Sequence, residues 1–281
     1  MKIRPFLSCL VVGLSSACIL TVVQGEEPAA QKAFHESFES NTWFHSWGIK
    51  DAPRNVRVVS EPEAKTGFVP LKGAALEISV EGEGHYGTSF QFAFKEQWGA
   101  EPEEIHFRYY LRLGSDWKPH RGGKFPGISG TYGKAGWGGR PAQGDDGWSA
   151  RGLFEGMKDG GTPVGFYCYH ADMKGKYGEN WRWDQAGNGI LKHQQWYCIE
   201  QYAKMNTPGQ KDGILRAWID GELAFEKQDV RMRHVDDLKI EAVWMNLYYG
   251  GTWTSPSDMH LFVDEVVISK ERIGELPNAG K

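Results

Sequence analysis

Apolar and polar residues take turns along much of the chain. Leu76-Glu77-Ile78-Ser79-Val80 alternates without a break, and so does Ile105 to Leu113, IHFRYYLRL. A period of two marks a strand with one face on a core and the other turned away from it. The same rhythm runs through SARGLFEGM, VGFYCYHAD, WYCIEQYAKMN, ILRAWIDGELAFE, IEAVWMNLYYGG and HLFVDEVVIS. No stretch carries the 3.6-residue period of a long amphipathic helix, so helix is expected only as short turns in loops. Many strands without a strand–helix–strand rhythm predict an all-β fold, an antiparallel two-sheet sandwich in one domain. The 36 glycines and 12 tryptophans suit short strands joined by tight turns.

The first residues stand apart from this pattern. Lys2 and Arg4 precede an apolar run from Phe6 to Val23, and Val23-Gln24-Gly25 offers a cleavage point. This reads as a secretory signal over residues 1–25, with 26–281 as the mature domain, secreted or periplasmic. No later run is apolar enough to span a bilayer, so no membrane partner is expected after cleavage. Losing Lys2 and Arg4 moves the formal charge from −4 to −6, which gives nucleic acid no bulk attraction. Cys9 and Cys18 leave with the signal; Cys168 and Cys198 remain where a disulfide is permitted. Scattered histidines and unpaired cysteines predict no metal site and no cofactor. A monomer is expected.

Charge is uneven along the mature chain. In Ile105–Leu113 the polar set is His106, Arg108, Tyr110 and Arg112, and in WYCIEQYAKMN it is Glu200, Tyr202, Lys204 and Asn206. Such stripes suit a solvated face, or equally a groove for an anionic sugar chain, where guanidinium meets carboxylate and flat rings meet sugar faces. Between Ile105 and Phe125 stand five basic residues, Arg108, Arg112, Lys118, Arg121 and Lys124, against one acid, Asp116. The last of them sits in GGKFPG, Gly122 to Gly127, a stretch expected to be a glycine- and proline-constrained loop.

GGKFPG, followed by a glycine-rich stretch from Gly130 to Gly147, then SAR and then YCY, resembles the pattern of polysaccharide lyase family 14. The glucuronan lyases of family 20 look related. The similarity runs from about Phe34 to Ser269, through NTPGQKDGILRAWIDG and YYGGTWTSPSDMHLFVDEVVIS. The resemblance implies a β-jelly-roll sandwich that acts on alginate or glucuronan. It places the loop lysine at Lys124, the Ser-x-Arg pair at Ser149 and Arg151, and the Tyr-x-Tyr pair at Tyr167 and Tyr169. Phe125 replaces the usual leucine, and HADMKGKYGENWRWDQAG reads as an insertion.

Cleavage of a uronate polymer by β-elimination makes three demands. The C6 carboxylate needs neutralising, a base takes the C5 proton, and an acid protonates the departing O4. Lys124 and Arg151 are the expected neutralisers. Phenols beside two cations are expected to acidify, so that either tyrosine acts as base or acid, with His120 as an alternative base. Arg108, Arg112, His120, Glu200, Tyr202, Lys204, Asn206, Asn246 and Tyr248 are the expected substrate-binding residues. If Tyr167 and Tyr169 face the groove, Cys168 points inward and Cys198 outward, which argues against a bridge. The expected function is thus a secreted lyase whose partner is an acidic polysaccharide. The competing readings are a carbohydrate-binding jelly roll without turnover and a glycoside hydrolase using a carboxylate pair such as Glu155 and Glu200.

Overall fold

The computed structural model of the chain describes residues 33–277. The expected signal at residues 1–25 therefore lies outside the described residues. Two antiparallel sheets carry the fold. The first contains β1 (Phe34–Glu36), β2 (Val56–Val59), β3 (Ala75–Val80), β5 (Glu104–Leu113), β11 (Trp196–Lys204), β12 (Gly213–Ile219), β13 (Glu222–Val230) and β15 (Met259–Ser269). Its order is β13-β12-β11-β5-β15-β3-β2, with β1 also on β15. The second contains β4 (Tyr86–Ala93), β6 (Gly123–Gly130), β7 (Trp148–Phe154), β8 (Thr162–Tyr169), β9 (Glu179–Arg182), β10 (Ile190–Leu191) and β14 (Ala242–Tyr249). Its order is β10-β8-β7-β6-β14-β4, with β9 also on β8. A short α-helix, α1 (Phe94–Trp98), follows β4, and a 3-10 turn, Trp43–His45, lies between β1 and β2. The all-β two-sheet sandwich is the architecture that the alternating pattern predicts.

Alternation sets what each strand buries. Ile105, Phe107, Tyr109, Leu111 and Leu113 of β5 face Ile128, Ala150, Phe154, Phe166, Cys168, Val243, Met245 and Leu247 of the second sheet across one core. Each fully buried large apolar side chain contributes roughly 1.5–3 kcal/mol. ILRAWIDGELAFE, legible only as one run, is in fact a hairpin of β12 and β13. Asp220 and Gly221 turn it with positive φ at both positions (50° and 76°), as a two-residue hairpin turn requires. The insertion after β8 supplies β9, which extends that edge.

GGKFPG is not a loop. Gly123 to Gly127 opens β6, and the proline is accommodated by a register shift: Phe125 pairs with Gly152 and Gly127 with Arg151. Pro126 is the extra residue of this bulge, where a missing N–H costs no ladder bond. In a regular strand Lys124 would share a face with Ile128, which is buried in the core. The bulge moves Lys124 to the opposite, open face. The buried amide of Gln201, reaching across from β11, donates from Nε2 to the Pro126 carbonyl at 2.8 Å and so ties the bulge to the other sheet.

The polar stripe of β5 and β11 forms neither a solvated face nor the groove that holds Lys124. It lies on the outer face of the first sheet, across the sandwich from the second, and the end of the described chain binds part of it. Glu200 accepts from His106 at 2.7 Å and from the N–H groups of Ile273 (3.0 Å) and Gly274 (2.8 Å). Leu276 N–H donates to Tyr110 at 2.8 Å, and Arg272 stacks on Trp218. Arg108 is buried over the Tyr110 ring, and Arg112 donates to the Gly67 carbonyl at 2.6 Å. Tyr202 donates to Glu104 at 2.7 Å, and Lys204 is exposed at the end of β11. Asn206 is fully buried, with its side-chain amide bound to the backbone of Thr207, Gln210, Met232 and Arg233. The substrate-binding expectation for Arg108, Arg112, Glu200, Tyr202, Lys204 and Asn206 is thereby corrected. A period of two says that residues share a face but not which sheet owns it.

Candidate active site

The open face of the second sheet gathers the remaining expected residues. Arg151 on β7 pairs with Tyr167 on β8 and with Gly127 on β6, and Gly127 pairs in turn with Trp244 on β14. One rung along, Ser149 stands opposite Tyr169 on one side and Ser129 on the other. On the rung at the start of β6, Lys124 stands opposite Tyr248 of β14. Gly127 has to be glycine, because a Cβ there would collide with the Ala150 carbonyl and the Arg151 Cα.

Side chains converge on these rungs. The Lys124 ammonium nitrogen lies 3.8 Å from the Tyr167 ring centroid. The Arg151 guanidinium sits between the Tyr167 ring (5.7 Å) and the Trp244 ring (4.8 Å). It donates to Asn246 Oδ1 at 3.1 Å, while its Nε is buried and unpartnered. No carboxylate of the described residues forms an ion pair with Lys124 or Arg151. Tyr167 and Tyr169 meet edge to face at 5.5 Å.

The expected pairs differ in accessibility. Ser149 is fully buried and donates its hydroxyl to the Gly136 carbonyl at 2.6 Å, tethering the glycine-rich loop. The Tyr169 oxygen accepts from Gly139 N–H of the same loop at 3.2 Å. Tyr167 is half-buried and lies against Lys124. Asn246 and Tyr248 join the cluster. His120 lies exposed in the segment before β6.

Burial without counter-charge sets the protonation states. Desolvation, helped by the charge of Arg151, pulls Lys124 down to about 7. Arg151 falls to about 10 through burial, opposed by the nearby phenols, and remains a cation. Tyr167 moves upward, chiefly by burial and then by its contact with Tyr169, and the field of Arg151 does not reverse this. Tyr248 rises for the same leading reason. The expected acidified phenol is corrected: it is the amine whose proton is loosened and the phenol whose proton is held.

Sequence reasoning missed Trp244 and Gln201. Trp244 shares the parity of Asn246 and Tyr248 in IEAVWMNLYYGG and was findable on that ground. Gln201 lies on the apolar side of its strand, and only the packing of the sheets brings it to Pro126. Among the described residues no group of three or more His, Cys, Asp or Glu converges as metal ligands. The carboxylate pair considered for hydrolysis is split. Glu155 is bound by Arg182, and Glu200 lies on the outer face of the other sheet.

An open sheet face that presents a lysine and an arginine among phenols, with no acid to balance them, defines a site for an anion. Residues 74–266 match the model of the family polysaccharide lyase 14, so the chain belongs to that family and is a polysaccharide lyase. No curated protein sequence gives a significant match. Among solved structures, a variant of alginate lyase Aly36B, with one lysine and one tyrosine changed to alanine and an alginate tetrasaccharide bound, has a TM-score of 0.65 and 19% identity; the match covers 86% of this chain and 98% of that one. The marine PL-14 alginate lyase of Aplysia kurodai has a TM-score of 0.59 and 15% identity, covering 85% and 98%. The endo-β-1,4-glucuronan lyase of the fungus Trichoderma reesei has a TM-score of 0.50 and 16% identity, covering 85% and 95%. These likenesses establish the shared fold.

Proposed function

We propose that the protein cleaves a uronate-containing polysaccharide of the alginate or glucuronan type by β-elimination. The observation that carries this reading is the pairing of Lys124 and Arg151 on one open face with no acid beside them. A uronate carboxylate supplies the missing charge. Arg151, oriented by Asn246 and held between two rings, binds the C6 carboxylate and stabilises the negative charge that develops on it. Lys124, its pKa pulled down to about 7, takes the C5 proton as the free amine. The C4–O4 bond breaks as the C4=C5 bond forms, and the Tyr167 hydroxyl, kept protonated by burial, gives its proton to O4. Proton transfer from the Lys124 ammonium to the Tyr167 phenolate returns both groups to their starting states. Ser149 and Tyr169 hold the glycine-rich loop over this rung.

The names of the structural relatives support the substrate class, and the Aly36B variant lacking a lysine and a tyrosine held an alginate tetrasaccharide. The charged start, apolar run and cleavage point at residues 1–25 support export, which suits an enzyme for a polymer too large to enter the cell. No helix of the described residues is long and apolar enough to cross a membrane. Ultraviolet absorbance during incubation with alginate blocks and with glucuronan tests the proposal, because elimination creates a double bond conjugated to the carboxylate. Rising absorbance that disappears in Lys124→Ala is the expected result. Cleavage with no new absorbance would mean hydrolysis and overturn it.

A further inference from the structure

Large aromatic rings that remain exposed are few, and they cluster. Among the described residues they are Tyr86, Tyr177 and Trp253, and each adjoins the face that holds Lys124. The Tyr86 ring lies 5.1 Å from that of Tyr248, the residue opposite Lys124. Tyr177 packs beside Gly139, whose N–H is bound by the Tyr169 oxygen. Trp253 is 46% exposed, and the Arg121 guanidinium stacks on it at 5.0 Å.

The last pair is fixed by the backbone as well as by its own contact. Gly250 N–H donates to the Gly122 carbonyl at 2.8 Å, and Arg121 N–H donates to the Tyr249 hydroxyl at 3.0 Å. The Tyr248 hydroxyl donates to the Gly251 carbonyl at 3.3 Å. Gly250 has φ +76°, and a Cβ on it would strike the Trp253 backbone and indole, so glycine there lets the ring lie where it does. Arg121 is three residues from Lys124, at most roughly 11 Å along an extended backbone. No acid among the described residues forms an ion pair with Arg121.

We propose that Arg121 and Trp253 form a second uronate-binding subsite flanking the reacting rung. This rests on the function proposed above and extends it to a sugar unit that is not cleaved. A guanidinium stacked on an indole keeps its N–H edge free for a carboxylate, and the stack itself holds it in place. The exposed indole offers an apolar surface to the face of a pyranose. A polymer with a carboxylate on every unit is matched twice, once by Arg151 at the reacting sugar and once by Arg121 beyond it. A neutral glucan meets only half of this arrangement.

Two measurements separate the outcomes. Calorimetric titration of uronate oligosaccharides into Lys124→Ala, which removes turnover, is compared with the same variant carrying Arg121→Ala or Trp253→Ala. Kd is expected to rise about tenfold with either change, the size of one lost charge-assisted contact, and the double change is expected to be less than additive. On the catalytically intact background, Arg121→Ala and Trp253→Ala are expected to raise KM for polymer while kcat stays within about twofold. The shortest cleavable oligosaccharide should lose this sensitivity. Unchanged Kd, KM and product lengths in variants that unfold at the wild-type temperature would overturn the subsite and leave the lyase reading intact. If the wild-type protein neither binds nor cleaves any uronate polymer, the functional reading falls and takes the subsite with it.

Discussion

The two outer faces of the sandwich carry similar residues and do opposite work. On the first sheet His106, Arg112, Arg216 and Tyr202 lie among Glu200, Glu226, Glu104 and backbone carbonyls, and the segment through Leu276 binds Glu200 and Tyr110 beside them. On the second sheet Lys124 and Arg151 face phenols, an indole and an amide. Arginines and tyrosines therefore do not distinguish a site from a structural face. The balance of charge does. On the first face Glu200 and Glu226 pair with His106, Arg272 and Arg216, Arg112 donates to a backbone carbonyl, and Arg108 has no ion pair among the described residues. On the second no carboxylate of the described residues pairs with either cation. Burying a cation costs several kcal/mol unless an anion accompanies it, and a fold keeps such a cost where a ligand brings the anion.

The comparison breaks most sharply at Lys124. Lys124→Ala is expected to lower kcat by roughly 10³-fold, the usual range for a general base, with far-ultraviolet circular dichroism unchanged. Arg151→Lys is expected to lose roughly 10²-fold, because an ammonium does not reproduce the two-pronged carboxylate contact. If either variant kept full activity, the second face would be as structural as the first. Glu200→Gln tests the other face. Burial opposes its charge, yet hydrogen bonds from His106, Ile273 and Gly274 outweigh that and hold its pKa below the usual carboxylate range. Loss of this charge is expected to cost about 3 kcal/mol in denaturant unfolding while leaving kcat and KM unchanged.

The pH dependence sharpens the contrast. As the proposed base, Lys124 would act in its neutral form, so kcat/KM is expected to fall tenfold per unit below about pH 7 and to level above it. Tyr167, raised, keeps its proton through the mildly alkaline range. On both faces stability rises with pH, in different windows: for Lys124 a burial penalty is relieved, and for Glu200 a stabilising charge is gained. Between about pH 7 and the ordinary lysine value of 10.5, unfolded Lys124 binds a proton that the folded protein does not, so stability from this group rises with pH. Lys124→Met is therefore expected to raise the melting temperature more at pH 6 than at pH 10. Glu200 contributes stability above its unfolded pKa and loses it as pH falls through the lowered folded value. The smallest effect is expected from Gln201→Leu: kcat falls a few-fold with KM unchanged as the Pro126 bulge loosens, and an unchanged kcat would show that the bulge holds Lys124 without help from the other sheet.

Much of the architecture was legible because alternation is a local signal. Any strand that buries one face has to repeat every two residues, and β3, β5, β7, β8, β11, β14 and β15 stood out on that ground alone. Ser149 with Arg151, and Tyr167 with Tyr169, were correctly paired on shared faces for the same reason. The family to which the chain belongs was also readable from the order of GGKFPG, SAR and YCY.

What the local pattern could not carry was decided by contacts far apart in the chain. Strict alternation puts Lys124 on the core side; only the Pro126 bulge, tied by an amide from the opposite sheet, turns it into the open. Arg112 and Glu200 look like groove residues until the Gly67 carbonyl takes the first and the segment through Leu276 binds the second, and Arg108 until it packs, buried, over the Tyr110 ring. The phenols were expected to acidify beside two cations, but at Tyr167 burial, which depends on the packed sheet and its loop, outweighs that field, and the loosened proton is that of Lys124. The sequence by itself determined which residues alternate and hence which strands exist; which face of which sheet is left without a counter-charge was settled only when the two sheets packed, because desolvation and charge pairing depend on neighbours in space.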